Sequence, residues 1–138
     1  MRVVLDTNVY ISSLIGTGKP RAVVESSASG GFDLIVSEPI LIELARILSN
    51  KFGWPESKIR AAAKAIRDIA EAVEPKRVLT DCIDPSDNRI LEAAVEGHAD
   101  CIVSGDKHLL RMNPFRSIEI LNANDFLLRV GSPRSEAR

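Results

Sequence analysis

Arg2-Val3-Val4-Leu5-Asp6 is a short β-branched run that ends in an acid, and the segment from Asn8 to Ile15 spaces its apolar residues as a helix does. The two read together as strand, turn and helix. Gly16, Gly18 and Pro20 break that helix, Arg21 to Ser29 forms another, and Gly30-Gly31 stops it before a second buried strand, Phe32 to Val36. Ser37, with Pro39 two places on, begins a helix to about Asn50, and Pro55 opens one that runs to about Val73, where Pro75 ends it. Arg77 to Leu79 reads as a third strand. Asp84-Pro85-Ser86-Asp87 starts a helix ending near Gly97, Cys101 to Val103 forms a fourth strand, and Ser104-Gly105-Asp106 turns into a short helix through Arg111. Ile118 to Leu121 reads as an edge strand and Asn124 to Val130 as a last helical turn. Strands alternating with helices predict the α/β class, with a parallel sheet covered on both faces, because parallel strands need crossover connections.

With 138 residues, 45% of them apolar, the chain suits one compact domain, expected over 1–130 with a frayed polar tail at 131–138. Eighteen basic residues nearly balance nineteen acidic ones. No global positive field announces a nucleic-acid binder, so phosphate binding must come from a local basic patch or from cations held by acids. No apolar stretch approaches the ~18 residues of a membrane span. The strand at Met1 to Leu5 leaves no leader ahead of it, so a cytoplasmic protein is expected. Cys82 and Cys101 stand alone, as reduced thiols do, and with His98 and His108 as the only histidines a soft-ligand zinc site is not expected.

In a parallel α/β sheet, ligands sit outside the carboxyl ends of the strands, where Asp6 and Asp106 fall. Each has a bland alternative, a helix N-cap for Asp6 and a turn acid for Asp106. Glu43 lies beside Ile40 and Ile47 on the helical wheel, at the border of an apolar face. A carboxylate there needs compensation, from a shared site or from a neighbouring arginine at the rim. Asp87 heads the face of Ile90, Leu91, Ala94 and Val95, while Arg89, Glu92 and Glu96 point elsewhere. Asp84 can cap that helix, and a capping box from Asp87 is the alternative to a site role. Carboxylates gathered at one sheet end repel by roughly 4 kcal/mol at 4 Å with an effective dielectric of about 20. Mg²⁺ or Mn²⁺, which favour oxygen ligands, would remove that cost. One ion holds its ligand oxygens within about 4.5 Å of each other, so with slack for a metal-free site Asp6, Glu43 and Asp87 are expected within roughly 4 to 7 Å of one another in one open pocket, with Asp106 direct or one water further out.

Four fragments then resemble the PIN-domain nucleases, in particular the VapC-like toxins of toxin-antitoxin pairs. They are Val4-Leu-Asp6-Thr-Asn8-Val, Pro39-Ile-Leu-Ile-Glu43-Leu, Asp84-Pro-Ser-Asp87-Asn-Arg-Ile-Leu-Glu-Ala-Ala94 and Ala99-Asp-Cys-Ile-Val-Ser104-Gly-Asp106-Lys-His-Leu-Leu110. The resemblance extends from Met1 to about Val130 and implies a three-layer α/β/α PIN-like fold. It implies that Asp6, Glu43, Asp87 and Asp106 are catalytic metal ligands for Mg²⁺ or Mn²⁺, with Asn8 and Ser104 as supporting polar neighbours. It further implies a ribonuclease toxin that cuts RNA, pairs with a cognate antitoxin protein and forms a homodimer.

Other classes can be set against this one. Haloacid-dehalogenase-like phosphatases also place an aspartate after the first strand, but they need a second acid two residues on, where this chain has Asn8. A non-catalytic RNA-binding or protein-interaction domain is the other alternative. Arg60, Lys64 and Arg67 line one side of the helix after Pro55, either as a phosphate grip or as a solvated face.

Overall fold

A computed structural model describes residues 1–136, with side chains through Val130. In chain order the elements are β1 (Arg2–Leu5), α1 (Thr7–Ile15), α2 (Lys19–Ala28), β2 (Asp33–Ser37), α3 (Glu38–Asn50) and α4 (Glu56–Ile69). After them come β3 (Ala70–Val73), α5 (Pro85–Glu96), β4 (Cys101–Val103), α6 (Lys107–Leu110), β5 (Glu119–Leu121) and α7 (Ala123–Glu136). The five strands form one sheet in the order β3-β2-β1-β4-β5, every neighbouring pair parallel. Successive strand residues point to opposite faces. Val3, Val4 and Leu5 are nonetheless all fully buried, as are Ile102 and Val103, so helices cover both faces of the central strands. This is the expected α/β architecture. No helix among the described residues is long and apolar enough to cross a membrane. The tail expected at 131–138 falls on residues whose side chains lie outside the description; the backbone of α7 continues to Glu136, past the turn expected to end at Val130.

One strand is not where the sequence suggested. β3 is Ala70–Val73, the stretch read as the end of the preceding helix, and Arg77 to Leu79 is not a strand. The spacing of Ile59, Ala63, Ile66, Ala70 and Val73 suits a helix throughout, so periodicity could not mark the change. What fixes the strand is long-range: Leu34 pairs with Ala70 and Ser37 with Val73, and the Arg2 guanidinium meets both Glu71 carboxylate oxygens at 3.0 Å. The next segment finds its partners on a helix. Lys76, Leu79 and Cys82 donate their backbone N–H groups to Glu96, Glu92 and Asn88 of α5, at 3.2, 2.8 and 2.8 Å. Acceptors four residues apart on the helix thus serve donors three apart on the loop. Glu92, expected to point away from the apolar face of its helix, is buried by this loop and also pairs with Arg89 at 2.8 Å.

Glu92→Ala should therefore cost about 1–3 kcal/mol, the penalty for leaving the buried Leu79 N–H unpaired. Denaturant unfolding measures the loss, and hydrogen exchange at Leu79 should accelerate more than exchange in β1 or β4. Unchanged protection at Leu79 would contradict the tether.

Candidate active site

The pairing of Leu5 with Val103 decides which polar groups meet at the sheet's carboxyl edge. One step further on, Asp6 leaves β1 and Ser104 leaves β4, and the buried Ser104 hydroxyl donates to Asp6 Oδ2 at 2.7 Å. Ser104 Oγ in turn accepts the backbone N–H of Asp106 at 2.9 Å, so Ser104 links the two acids. Asp6 is only 5% exposed, and it sits at the N-cap position of α1 without a side-chain capping bond. Burial pushes its carboxyl above the ordinary range. The Ser104 hydroxyl and the N–H groups opening α1 pull it back, while the negative charge of Asp106 pushes it up.

Asp106 does two things. Its Oδ1 caps α6, accepting the His108 N–H at 2.7 Å, so the bland reading holds for that oxygen. It also lines a cavity of about 440 Å³ with Asp87, Asp81, Asp84, Cys82 and His108. Asp87 lies in the first turn of α5, where Asp84 supplies the cap by accepting from Ser86 N and Oγ at 3.0 and 2.8 Å. Asp87 is buried, and its carboxyl is pushed from the ordinary 3.8 to about 6. Burial contributes most, followed by the charges of Asp106, Asp6 and Asp84, with His108 acting in the opposite sense.

Asn88, beside Asp87, holds the cavity's outer wall: its side-chain amide exchanges hydrogen bonds with both backbone groups of Cys82, at 2.8 and 3.0 Å. Cys82 Sγ in turn lies 3.5 Å from Met112 Sδ. Both cysteines are free. The acids Asp81 and Asp84 and the ring of His108 were not singled out in the sequence as part of a site. The three-residue spacing of Asp81, Asp84 and Asp87 was the one available signal. Asn8 is exposed and shares a small cleft with Ser104, Ser12 and Gly105.

Glu43 stands apart in its partners. Its carboxylate accepts from Arg46 Nη2 at 2.7 Å and Nε at 3.2 Å, the rim pairing that was its bland alternative. Among the described residues no three His, Cys, Asp or Glu side chains stand close enough to hold one metal ion. Asp6, Glu43 and Asp87 therefore do not form the expected set at ligand separation. Carboxylates without a cation repel, and each takes another partner: a hydroxyl for Asp6, a helix N–H for Asp106, an arginine for Glu43. The donors are all hard oxygens, and the charge of Asp106 raises the proton affinity of both Asp6 and Asp87, which is the chemistry a divalent cation fits.

Residues 2–108 match the sequence model of the PIN domain. An uncharacterized protein of Methanocaldococcus jannaschii is 29% identical over 139 residues, spanning 97% of this chain and 88% of that protein. The crystal structure of VapBC2 from Rickettsia felis bound to a DNA fragment from their promoter superposes with a TM-score of 0.61 at 16% identity, covering 88% of this chain and 98% of that one. At that identity the likeness concerns the fold.

The raised Asp87 carboxyl has a signed effect on stability. The folded chain keeps a proton there from the ordinary 3.8 up to about 6, where the unfolded chain has lost it, so metal-free stability falls as pH rises through that window. Asp87→Asn should raise the melting temperature in EDTA at pH 7.5, and the gain should vanish near pH 4. A variant less stable than the parent at pH 7.5 would contradict the repulsion.

Proposed function

The chain belongs to the PIN-domain family, and on that premise we propose that it is a divalent-metal-dependent ribonuclease, the toxin of a toxin-antitoxin pair. The observation that carries the proposal is the mutual repulsion of Asp6, Asp87 and Asp106 at the carboxyl edge of β1 and β4. Carboxylates whose proton affinity is raised by burial and by one another's charge in a cleft are the mark of a functional site. Asp6, Asp87 and Asp106 would hold Mg²⁺ or Mn²⁺, with Glu43 joining them by exchanging Arg46 for the ion. When bound, the ion supplies positive charge that acidifies a water and neutralises charge developing on a phosphate.

The chain's own groups do the rest. Ser104 fixes one oxygen of Asp6, and the His108 N–H fixes one oxygen of Asp106. Asn8, at the first turn of α1, stands where it can orient a water or a phosphate oxygen beside Ser104.

For partners we propose RNA as substrate, a second copy of the chain, and a cognate antitoxin, all met in the cytoplasm. The fold likeness to VapBC2 supports the toxin role. An apolar groove between α3 and α4, lined by Leu41, Ile42, Ala45, Ile59 and Ala63, supports protein contact, since Ile42 is 60% exposed. A non-catalytic RNA-binding or protein-interaction domain is the second reading, and one observation favours it: Glu43 already has its counter-ion in Arg46.

Purified protein should cleave RNA with Mn²⁺, lose the activity in EDTA and regain it on adding the metal back. Asp6→Asn and Glu43→Gln should each lower cleavage by about 100-fold or more, and Ser104→Ala by about 10- to 100-fold, the usual cost of losing a group that orients a ligand. Millimolar Mn²⁺ should raise the melting temperature of the parent chain but not of Asp87→Asn. Cleavage that survives both Asp6→Asn and EDTA would belong to a contaminant and would sink the enzymatic reading.

A further inference from the structure

The stripe of Arg60, Lys64 and Arg67 on α4 is the obvious basic feature of the sequence, and the structure neutralises it. Arg60 pairs with Glu56 at 3.0 Å, Lys64 with Asp68 at 2.9 Å, and Arg67 with Glu38 at 3.1 Å. Three cations face three anions. Such exposed pairs are individually weak, but a phosphate approaching them meets three carboxylates as well as three cations, and the net local field is close to zero.

The unneutralised positive charge lies elsewhere. From Lys107 to Ile118 the chain carries Lys107, Arg111 and Arg116 and no acid. Arg116 stacks over the Phe115 ring, at 5.2 Å from its centroid. Lys107 and Arg111 are exposed, and among the described residues neither has a carboxylate partner within ion-pair distance. The Arg111 N–H donates to the Lys107 carbonyl at 3.0 Å, so the two side chains leave the same face of one helical turn, about 6 Å apart along its axis. Lys19, Lys51, Lys76 and Arg77 are also exposed and unpaired among the described residues, but Lys19 and Lys51 sit on segments that supply none of the site's carboxylates, and Lys76 and Arg77 lie at the far end of the loop that carries Asp81 and Asp84, beside Glu92 and Glu96 of α5. Lys107, by contrast, follows Asp106 directly, and His108 of the same turn lines the acidic cavity.

We infer that Lys107 and Arg111 grip the phosphate backbone of the single-stranded RNA, carrying it along α6 so that one phosphate reaches the cavity of Asp87 and Asp106, and that the α4 stripe takes no part. The inference rests on the ribonuclease reading and adds which side of the site the strand occupies. The two cations answer a physical need, because the acidic cavity repels RNA and the whole chain carries a net charge of -1. Attraction must come from charges fixed beside the site.

The test uses the intact chain, a fluorescein-labelled 12-nucleotide oligouridylate and anisotropy in EDTA, so that binding is read without cleavage. Lys107→Gln with Arg111→Gln should weaken binding roughly tenfold at low salt and flatten the log–log salt dependence by about 1.4, the share of two single-strand phosphate contacts. The triple variant Arg60→Gln, Lys64→Gln, Arg67→Gln should bind as the parent does. Both sets are on the surface, and circular dichroism melts confirm that each variant is folded. Loss of binding in the triple variant, or parental binding by the double one, overturns the inference. If the parent cleaves RNA with Mn²⁺ while the double variant binds normally, only this inference fails. A parent that neither binds nor cleaves takes the ribonuclease reading down with it.

Discussion

Parallel pairing between β1 and β4 brings together residues 98 apart in the chain, and the site is built on that single junction. β1 is central, with β2 on one side and β4 on the other, so the chain leaves β1 toward β2 and later returns to pair on its opposite edge. At such a switch point the connections depart in opposite directions and open a crevice at the carboxyl ends of the two strands. Asp6 and Asp106 belong to the segments flanking that crevice, and the Ser104 hydroxyl spans it. A shift of one residue in the register would turn every side chain of β1 to the other face and separate Asp6 from Ser104.

The crevice is electrostatically strained, and its surroundings make the strain bearable without removing it. Asp6 has a hydroxyl and the opening N–H groups of α1, and Asp106 has the first turn of α6. Asp87 has the least compensation: Asp84 has taken the cap of α5, leaving Asp87 under the charges of three other aspartates. Its displaced titration follows from that distribution of partners. Burial contributes most to the shift, and the charges of Asp106 and Asp6, both at the junction of β1 and β4, add to it.

Much of this was legible in the sequence, because the runs Val3 to Leu5, Leu34 to Val36 and Cys101 to Val103, each three apolar residues bounded by polar ones, mark buried strands directly. β1, β2, β4 and β5 and the starts of α3 and α5 could be read from local signals alone. The stretch from Ala70 to Cys82 could not. Its helix-like spacing hides a strand whose partners are β2 and Arg2, and the loop after it hydrogen-bonds to side chains of α5 that periodicity assigns to solvent. Local pattern reports which face is apolar, and it is silent when a polar helix face is covered by a loop. The same limit explains the missed lining residues: Cys82 and Asp81 are brought to the cavity wall by Asn88, a contact no spacing rule encodes. Glu43 shows the converse. Its arginine partner lies three residues on in the sequence, and the short-range pairing prevails over the long-range cluster while no cation draws the acids together.

Charge placement joins these observations into one account of how a nearly neutral chain could handle a polyanion. The Debye length at physiological salt is about 8 Å, so a nucleic acid responds to the charges within a side chain's reach of its phosphates and hardly at all to net charge. On α4 those charges cancel in pairs. Around the crevice they segregate instead: acids line the cavity, and the two unpaired cations at the ends of α6, Lys107 and Arg111, stand one and five residues beyond Asp106. The distribution therefore favours a phosphate backbone beside the acids and a cation among them, two ligands whose charges compensate each other and the site together.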